Sequence, residues 1–113
     1  ARSLEVWLPE RVRATITVNK SGVAEIQLAG AVSLRADAAR ALLFGDPHYP
    51  ARLAPADQER FDQAVHHVAV GVKVYHSLTV PQRHTTVGQA LCTTLNRALE
   101  RLSDLAGIRA ITL

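Results

Sequence analysis

The sequence is poor in cysteine, and Cys92 is the only one among 113 residues. The chain therefore forms no internal disulfide, and a zinc site built from several cysteines is excluded. Lone cysteines are usual in reducing compartments, where thiols stay unoxidised. The first apolar stretch is interrupted at Pro9 and Glu10, which is too early for the core of a signal peptide. We therefore expect a cytoplasmic protein.

Aromatic residues are also scarce, at 4% of the chain, although hydrophobic residues make up 48%. The core must be built from Ala, Val and Leu, which offer few large side chains. At 113 residues we expect a single domain, 1–113, with little margin of stability. A second subunit would supply further burial, so we expect self-association as a homodimer.

Long apolar runs and glycine-rich loops are missing. No stretch approaches the ~18 apolar residues of a membrane span, so we expect no membrane partner. The six glycines are isolated, which excludes the usual phosphate-binding loops. No serine lies in a nucleophile elbow, and no pair of carboxylates suggests hydrolysis. These absences favour a non-catalytic regulatory or binding module without a cofactor.

Lysine is rare, since Lys20 and Lys73 are the only two in the sequence. Arginine supplies the other basic side chains, and the net charge is +3. A chain rich in Ala, Arg and Val but poor in Lys is typical of a GC-rich bacterial genome, and this bias explains a pI of about 9.6. The alternative is an anionic partner such as nucleic acid. No block of five or six basic residues occurs, which favours the compositional explanation.

Two alternating runs, 12–18 and 23–28, flank the polar turn Asn19–Gly22. This pattern predicts a β-hairpin with one buried face and one polar face. A shorter alternating run, 4–8, predicts a preceding strand that Pro9 ends. The buried face of the hairpin should carry Ala14, Ile16, Val18, Ala24, Ile26 and Leu28.

Helical signals follow the hairpin. Ser33 is the predicted N-cap of a helix over 34–44, which Gly45 should end. Its inner face should carry Leu34, Ala38, Ala41 and Leu42. A second helix is predicted to begin at Pro55. We predict helix to about 69 and leave 70–76 open, because alternating valines are typical of a strand. Pro81 should end this segment.

Thr86 to Gln89 has the pattern of a capping box, which predicts Thr86 as the N-cap of the last helix. Gly107 should end this helix, and the alternating run 108–113 predicts a closing strand. The inner face of the helix should carry Val87, Leu91, Leu95, Ala98, Leu102 and Leu105. Together the elements predict an α+β fold, in which a small antiparallel sheet, made of the N-terminal meander and the C-terminal strand, packs against two or three helices.

Histidine is the residue type here best suited to chemistry near neutral pH or to metal binding. The alternative function is therefore a small enzyme with a histidine-based acid/base or metal site, drawing on His48, His66, His67, His76 and His84. The spacing argues against a metal, because adjacent helical residues point about 100° apart and no pair lies one turn apart. Asp62, one turn before His66, could pair with it instead. We expect Cys92 to be a buried small hydrophobe rather than a nucleophile.

The candidate nucleic-acid-binding residues are Arg83, Arg97 and Arg101. Polar residues at the start of the last helix resemble a recognition helix, and Arg97 and Arg101 lie one turn apart, where both could contact phosphate. The segment lacks the glycine expected in a tight helix-turn-helix, so an ordinary solvated helix face is the simpler interpretation. The leading function is thus a small basic binding module, homo-oligomeric, whose partner is nucleic acid or another protein.

Overall fold

A computed structural model describes residues 3–48 and 54–106. These residues form a three-stranded antiparallel sheet, in the order β1-β2-β3, and four helices. The elements are β1 (Ser3–Trp7), β2 (Arg13–Val18), β3 (Ala24–Ala29), α1 (Ala36–Phe44), α2 (Pro55–His76), α3 (Val80–Arg83) and α4 (Thr86–Ala106). The predicted α+β class is confirmed. The expected helix end at Gly107 and closing strand over 108–113 lie outside the described residues.

The described residues divide into two compact units. The sheet unit comprises 3–32 and 71–95, and the helical unit comprises 33–48, 54–70 and 96–106. In the sheet unit, residues of α2 and α4 lie against the inner face of the sheet. The Oγ1 atom of Thr94 accepts a hydrogen bond from the N–H of Ala24 at 3.0 Å. A methyl group placed on Gly71 would lie 3.8 Å from Ile26.

The hairpin forms as predicted, with β2 and β3 paired from Arg13↔Ala29 to Val18↔Ala24. The side-chain oxygen of Asn19 accepts hydrogen bonds from the N–H groups of Ser21 and Val23, at 2.9 and 3.0 Å. Gly22 has a φ of +79°, a conformation that favours glycine. The predicted inner face is confirmed, with Ala14 and Ile16 fully buried.

The predicted meander is also confirmed, because β1 pairs with β2. A tight connection joins the two strands. The N–H of Leu8 donates to the carbonyl of Val12 at 2.9 Å, and the N–H of Arg11 donates to the carbonyl of Leu8 at 3.0 Å. The register places Trp7 opposite Arg13. Val6 and Leu8 are buried, so β1 closes its side of the core.

Helix α1 begins later than the sequence predicts. Arg35, not Ser33, is the N-cap, because Arg35 is extended and its carbonyl accepts the first helical hydrogen bond, from Ala39. The inner face shifts accordingly, from the predicted Leu34, Ala38, Ala41 and Leu42 to Ala39 and Leu43. The predicted C-terminus is correct: Gly45 has a φ of +74° and its N–H donates to Ala41.

Helix α2 is continuous to His76, so a strand over 70–76 is wrong. Residues 68–72 and 74 are all buried, and an alternating pattern cannot identify a strand when intervening residues are buried too. Pro81 does not end this segment. It lies in the first turn of α3, where the missing N–H removes no helical hydrogen bond.

The N-cap of α4 is Thr85 and not the predicted Thr86. The Oγ1 atom of Thr85 accepts a hydrogen bond from the N–H of Gly88 at 3.1 Å and donates to the carbonyl of Gln82 at 2.6 Å. A full capping box does occur nearby, at Thr79 and Gln82 in α3. The predicted inner face of α4 is confirmed for Val87, Leu91, Leu95 and Leu102, but Leu99 is buried in place of Ala98. The side chain of Leu105 lies outside the described residues.

The position of the α4 N-cap can be tested through the free energy of unfolding. Replacing Thr85 with alanine should lower the free energy of unfolding by about 1 kcal/mol, because an N–H at the helix start loses its acceptor. Replacing Thr86 with alanine is the matched control and should change it by less than about 0.5 kcal/mol. Urea unfolding followed by circular dichroism measures both. A larger loss for Thr86→Ala would restore Thr86 as the cap.

Candidate functional site

The five candidate histidines are all exposed. His66 and His67 line a shallow groove along the first turns of α2, together with Glu59 and Asp62. Within the ranges that the structure describes, no three His, Cys, Asp or Glu side chains are placed to hold a metal ion.

Asp62 pairs with Arg40 and not with His66. The guanidinium of Arg40 contacts Oδ1 of Asp62 at 2.8 Å, and its Nε donates to the carbonyl of Pro47, also at 2.8 Å. Gln58 donates to the same carboxylate oxygen at 3.0 Å. This network joins α1, the residues that follow it and α2 within the helical unit, so it is a structural contact.

Arg83, the first arginine candidate, is half-buried in the sheet unit. Its guanidinium lies 5.2 Å from the centre of the Tyr75 ring and donates to the carbonyl of His76 at 3.2 Å. Its Nε is buried and has no partner among the described residues. Burial, and to a lesser degree the neighbouring Cys92 thiol, raise the pKa of Tyr75, so its hydroxyl stays protonated at neutral pH. Cys92 itself is half-buried. These contacts hold much of the Arg83 side chain inside the fold.

Arg97 and Arg101 are exposed on α4, one turn apart, as the sequence predicts. They belong to the helical unit. Glu100 and Asp104 interleave with them along the same helix. The surface that they form is therefore of mixed charge, which weakens its attraction for phosphate.

A different group of residues lies on the outer face of the sheet and in the connection between β1 and β2. Trp7 is the only tryptophan of the chain, and it is 64% exposed. Arg13 lies directly opposite on β2, and Ala29 lies opposite Arg13 on β3. Arg11, exposed and with a φ of +60°, precedes β2 in the tight connection. We call these four residues the Trp7–Arg13 surface.

The described residues carry equal numbers of basic and acidic side chains, but the sheet unit has five basic and three acidic ones. The helical unit has five basic and seven acidic ones. Lys73 pairs with Glu10, and this contact lowers the pKa of Glu10. Arg11 and Arg13 make no ion pair with any residue in the described ranges. The Trp7–Arg13 surface thus has two arginines without an ion pair among the described residues, beside an outer sheet face that also carries Glu5 and Glu25.

The sequence prediction did not identify this surface, although the signal was present. Trp7 alternates with the inward Val6, so it must point away from the core. Only five residues separate Trp7 from Arg13, which is the spacing of a tight hairpin connection. A tryptophan on an outer face, paired with an arginine, is the pattern that could have revealed it.

No helix within 3–48 and 54–106 has both the length and the apolar character to cross a bilayer. Comparison with protein-family models, with curated proteins and with solved structures finds no match to this chain.

Proposed function

We propose that the protein is a non-catalytic binding module whose Trp7–Arg13 surface binds single-stranded nucleic acid. The observation that carries the proposal is the exposure of Trp7 beside Arg13 on an open sheet face. An indole stacks on unpaired bases, and a guanidinium binds phosphate. Sheets that display aromatic side chains are used in this way by RNA-binding domains.

The surface suits single strands better than duplexes. Bases can stack on an aromatic ring only when they are unpaired and splayed out. Ala29, opposite Arg13 on β3, adds only a methyl group to this face. Glu5 and Glu25 share the outer face, so the electrostatic attraction is moderate, and stacking should supply much of the affinity. Glu25 also accepts a hydrogen bond from Asn19.

The proposal is tested through the fluorescence of the single tryptophan. Single-stranded oligo(dT) and oligo(U) should quench the emission of Trp7 by stacking. A DNA duplex and poly-glutamate are the two controls, since the duplex hides its bases and poly-glutamate has negative charge without aromatic bases. Quenching by poly-glutamate equal to that by the oligonucleotides would instead identify an acidic protein partner. No quenching by any of them would overturn the proposal.

Two substitutions separate stacking from charge. Trp7→Ala should weaken binding of a labelled oligonucleotide at least about five-fold, because one stacked base is lost. Arg13→Ala should weaken it less and reduce the slope of log K against log salt by about 0.7, as expected for one phosphate contact. Fluorescence anisotropy of the label measures both. Val80→Ala, at the same 64% exposure as Trp7, and Arg60→Ala are the matched controls and should leave binding unchanged.

The three arginines predicted from sequence define the competing interface. If α4 binds the nucleic acid, the double variant Arg97→Ala/Arg101→Ala should reduce the salt slope by about 1.4, and Arg13→Ala should not change it. Arg83→Ala would report less cleanly, because it also removes the contact with Tyr75. A smaller salt slope for Arg97→Ala/Arg101→Ala, with an unchanged slope for Arg13→Ala, would move the binding surface from the sheet to α4.

We also propose that the module is a homodimer in a bacterial cytoplasm. The core supports self-association, because Phe61 is the only aromatic residue among the buried apolar residues of 3–48 and 54–104. The single cysteine supports the compartment. Native mass measurement at high micromolar concentration should give twice 12.3 kDa.

A further inference from the structure

The edge of β3 has unpaired backbone groups. In an antiparallel ladder, alternate residues direct their N–H and C=O groups away from the neighbouring strand. The carbonyl of Val23 accepts from the N–H of Asn19, so Val23 faces β2, and the N–H of Ala24 donates away from β2 to Thr94. The outward residues of β3 are therefore Ala24, Ile26 and Leu28. The outward groups of Ile26 and Leu28 have no partner among residues 3–48 and 54–106. Unpaired edges of this kind readily add a further strand.

The core is also incompletely covered at this edge. Ile26 and Leu28 point inward but remain partly exposed, whereas their partners on β2, Ile16 and Ala14, are fully buried. At the opposite edge of the sheet, Val6 of β1 is buried and Leu4 is half-buried. A strand added beside β3 would therefore bury apolar surface that one chain leaves in contact with water.

The two edges of the sheet differ in their protection. β1 carries Glu5 at its centre and is followed by Pro9, both of which discourage pairing with another strand. A second copy paired symmetrically about Glu5 would place two carboxylates opposite each other. Residues 26–29 of β3 contain neither a charge nor a proline.

We propose that β3 pairs with β3 of a second copy of this chain, antiparallel about a two-fold axis at Gln27. This inference rests on the self-association proposed above and names its surface. Ile26 then lies opposite Leu28 of the partner subunit, and their outward N–H and C=O groups form the new ladder. On the outer face, Gln27 lies beside Gln27 of the partner subunit, and Glu25 faces Ala29 of the partner subunit. No like charges oppose each other in this register.

The ends of the strand fit the same register. Thr94 already occupies the outward N–H of Ala24, so the new ladder cannot extend past that residue. The residue opposite Ala24 would be Gly30 of the partner subunit. Gly30 has a φ of +140°, and the strand ends just before it. The partner chain would therefore leave the ladder at the point where Thr94 covers the edge.

Charge substitutions at Gln27 test both the edge and the register. Gln27 is exposed on the outer face, so a charged residue there should not disturb the core. Either Gln27→Lys or Gln27→Glu alone places like charges opposite each other and should raise the dimer Kd about two- to five-fold. A mixture of the two variants should restore the wild-type Kd by forming the heterodimer. Ser3→Lys, which adds the same charge to β1, is the control and should leave the Kd unchanged.

Sedimentation equilibrium measures each Kd. A higher dimer Kd for each Gln27 variant alone, together with a wild-type Kd for their mixture, supports the β3 pairing. A dimer that is insensitive to Gln27, or equally sensitive to Ser3→Lys, would overturn the edge but leave self-association standing. A wild-type monomer would overturn both, while the oligonucleotide titration would still decide the nucleic-acid proposal.

Discussion

Replacing Gly88 with alanine should destabilise the protein by about 1–3 kcal/mol, although alanine is the better helix former. In an exposed helix the same change stabilises by about 1 kcal/mol. Here a methyl group on Gly88 would lie 2.8 Å from Cα and 2.9 Å from the carbonyl oxygen of Arg83, and still closer to the carbonyl oxygen of Gln82. All three are backbone atoms, so no side-chain rotation relieves the clash. Overpacking typically costs about 1–3 kcal/mol, which exceeds the gain in helix propensity.

The corner between α3 and α4 explains why this approach is so close. The Thr85 hydroxyl bonds to the carbonyl of Gln82 on one side and to the N–H of Gly88 on the other, which draws the two helix ends together. Urea unfolding by circular dichroism measures the loss. Gln89→Ala, an exposed change at the next residue, is the control and should be neutral within about 0.5 kcal/mol. A Gly88→Ala protein as stable as the wild type would show that this corner is looser than described.

Replacing Leu95 with alanine should lower the free energy of unfolding by about 2–5 kcal/mol, because it removes buried methyl groups and leaves a cavity. Leu95 lies in the middle of the buried face of α4, and its Cδ2 would be 2.6 Å from a methyl group on Gly71. Thr93→Ala, at an exposed position of the same helix, should cost less than about 0.5 kcal/mol. Equal losses for the two variants would mean that α4 does not face inward at Leu95.

The contact between Leu95 and Gly71 gives this prediction a second readout. Gly71→Ala alone forces the Leu95 side chain to move, but in the Leu95→Ala protein the space for the new methyl group already exists. The two changes should therefore be strongly non-additive, with the double variant more stable than the sum of the single losses implies. Additive losses would show that the two residues do not share this space.

The sequence predicts the elements whose signals are local. The Asn19 turn, the helix end at Gly45 and the helix start at Pro55 all depend on residues within a few positions, and all three are confirmed. The errors arise where tertiary packing decides. Leu99 replaces Ala98 on the inner face of α4, since the larger side chain of the two buries more apolar area.

The candidate site was less predictable than the fold. The sequence predicts Arg83 as a nucleic-acid contact, but its proximity to Tyr75, eight residues earlier, cannot be seen from the sequence. The Trp7–Arg13 surface depends on the register between β1 and β2, which a one-residue slip would abolish. Chemistry that depends on cross-strand neighbours therefore remains hidden until the register is known.

The C-terminal half of α2 has a consequence for how this chain folds. Residues 68–74 have the valine content of a strand, and burial in the finished fold holds them as helix. Before that burial is complete, during synthesis or refolding, the same stretch favours extended conformations that can associate with other molecules. Packing must therefore compete with aggregation at this segment, and Lys73 is the one charge within it that opposes intermolecular association.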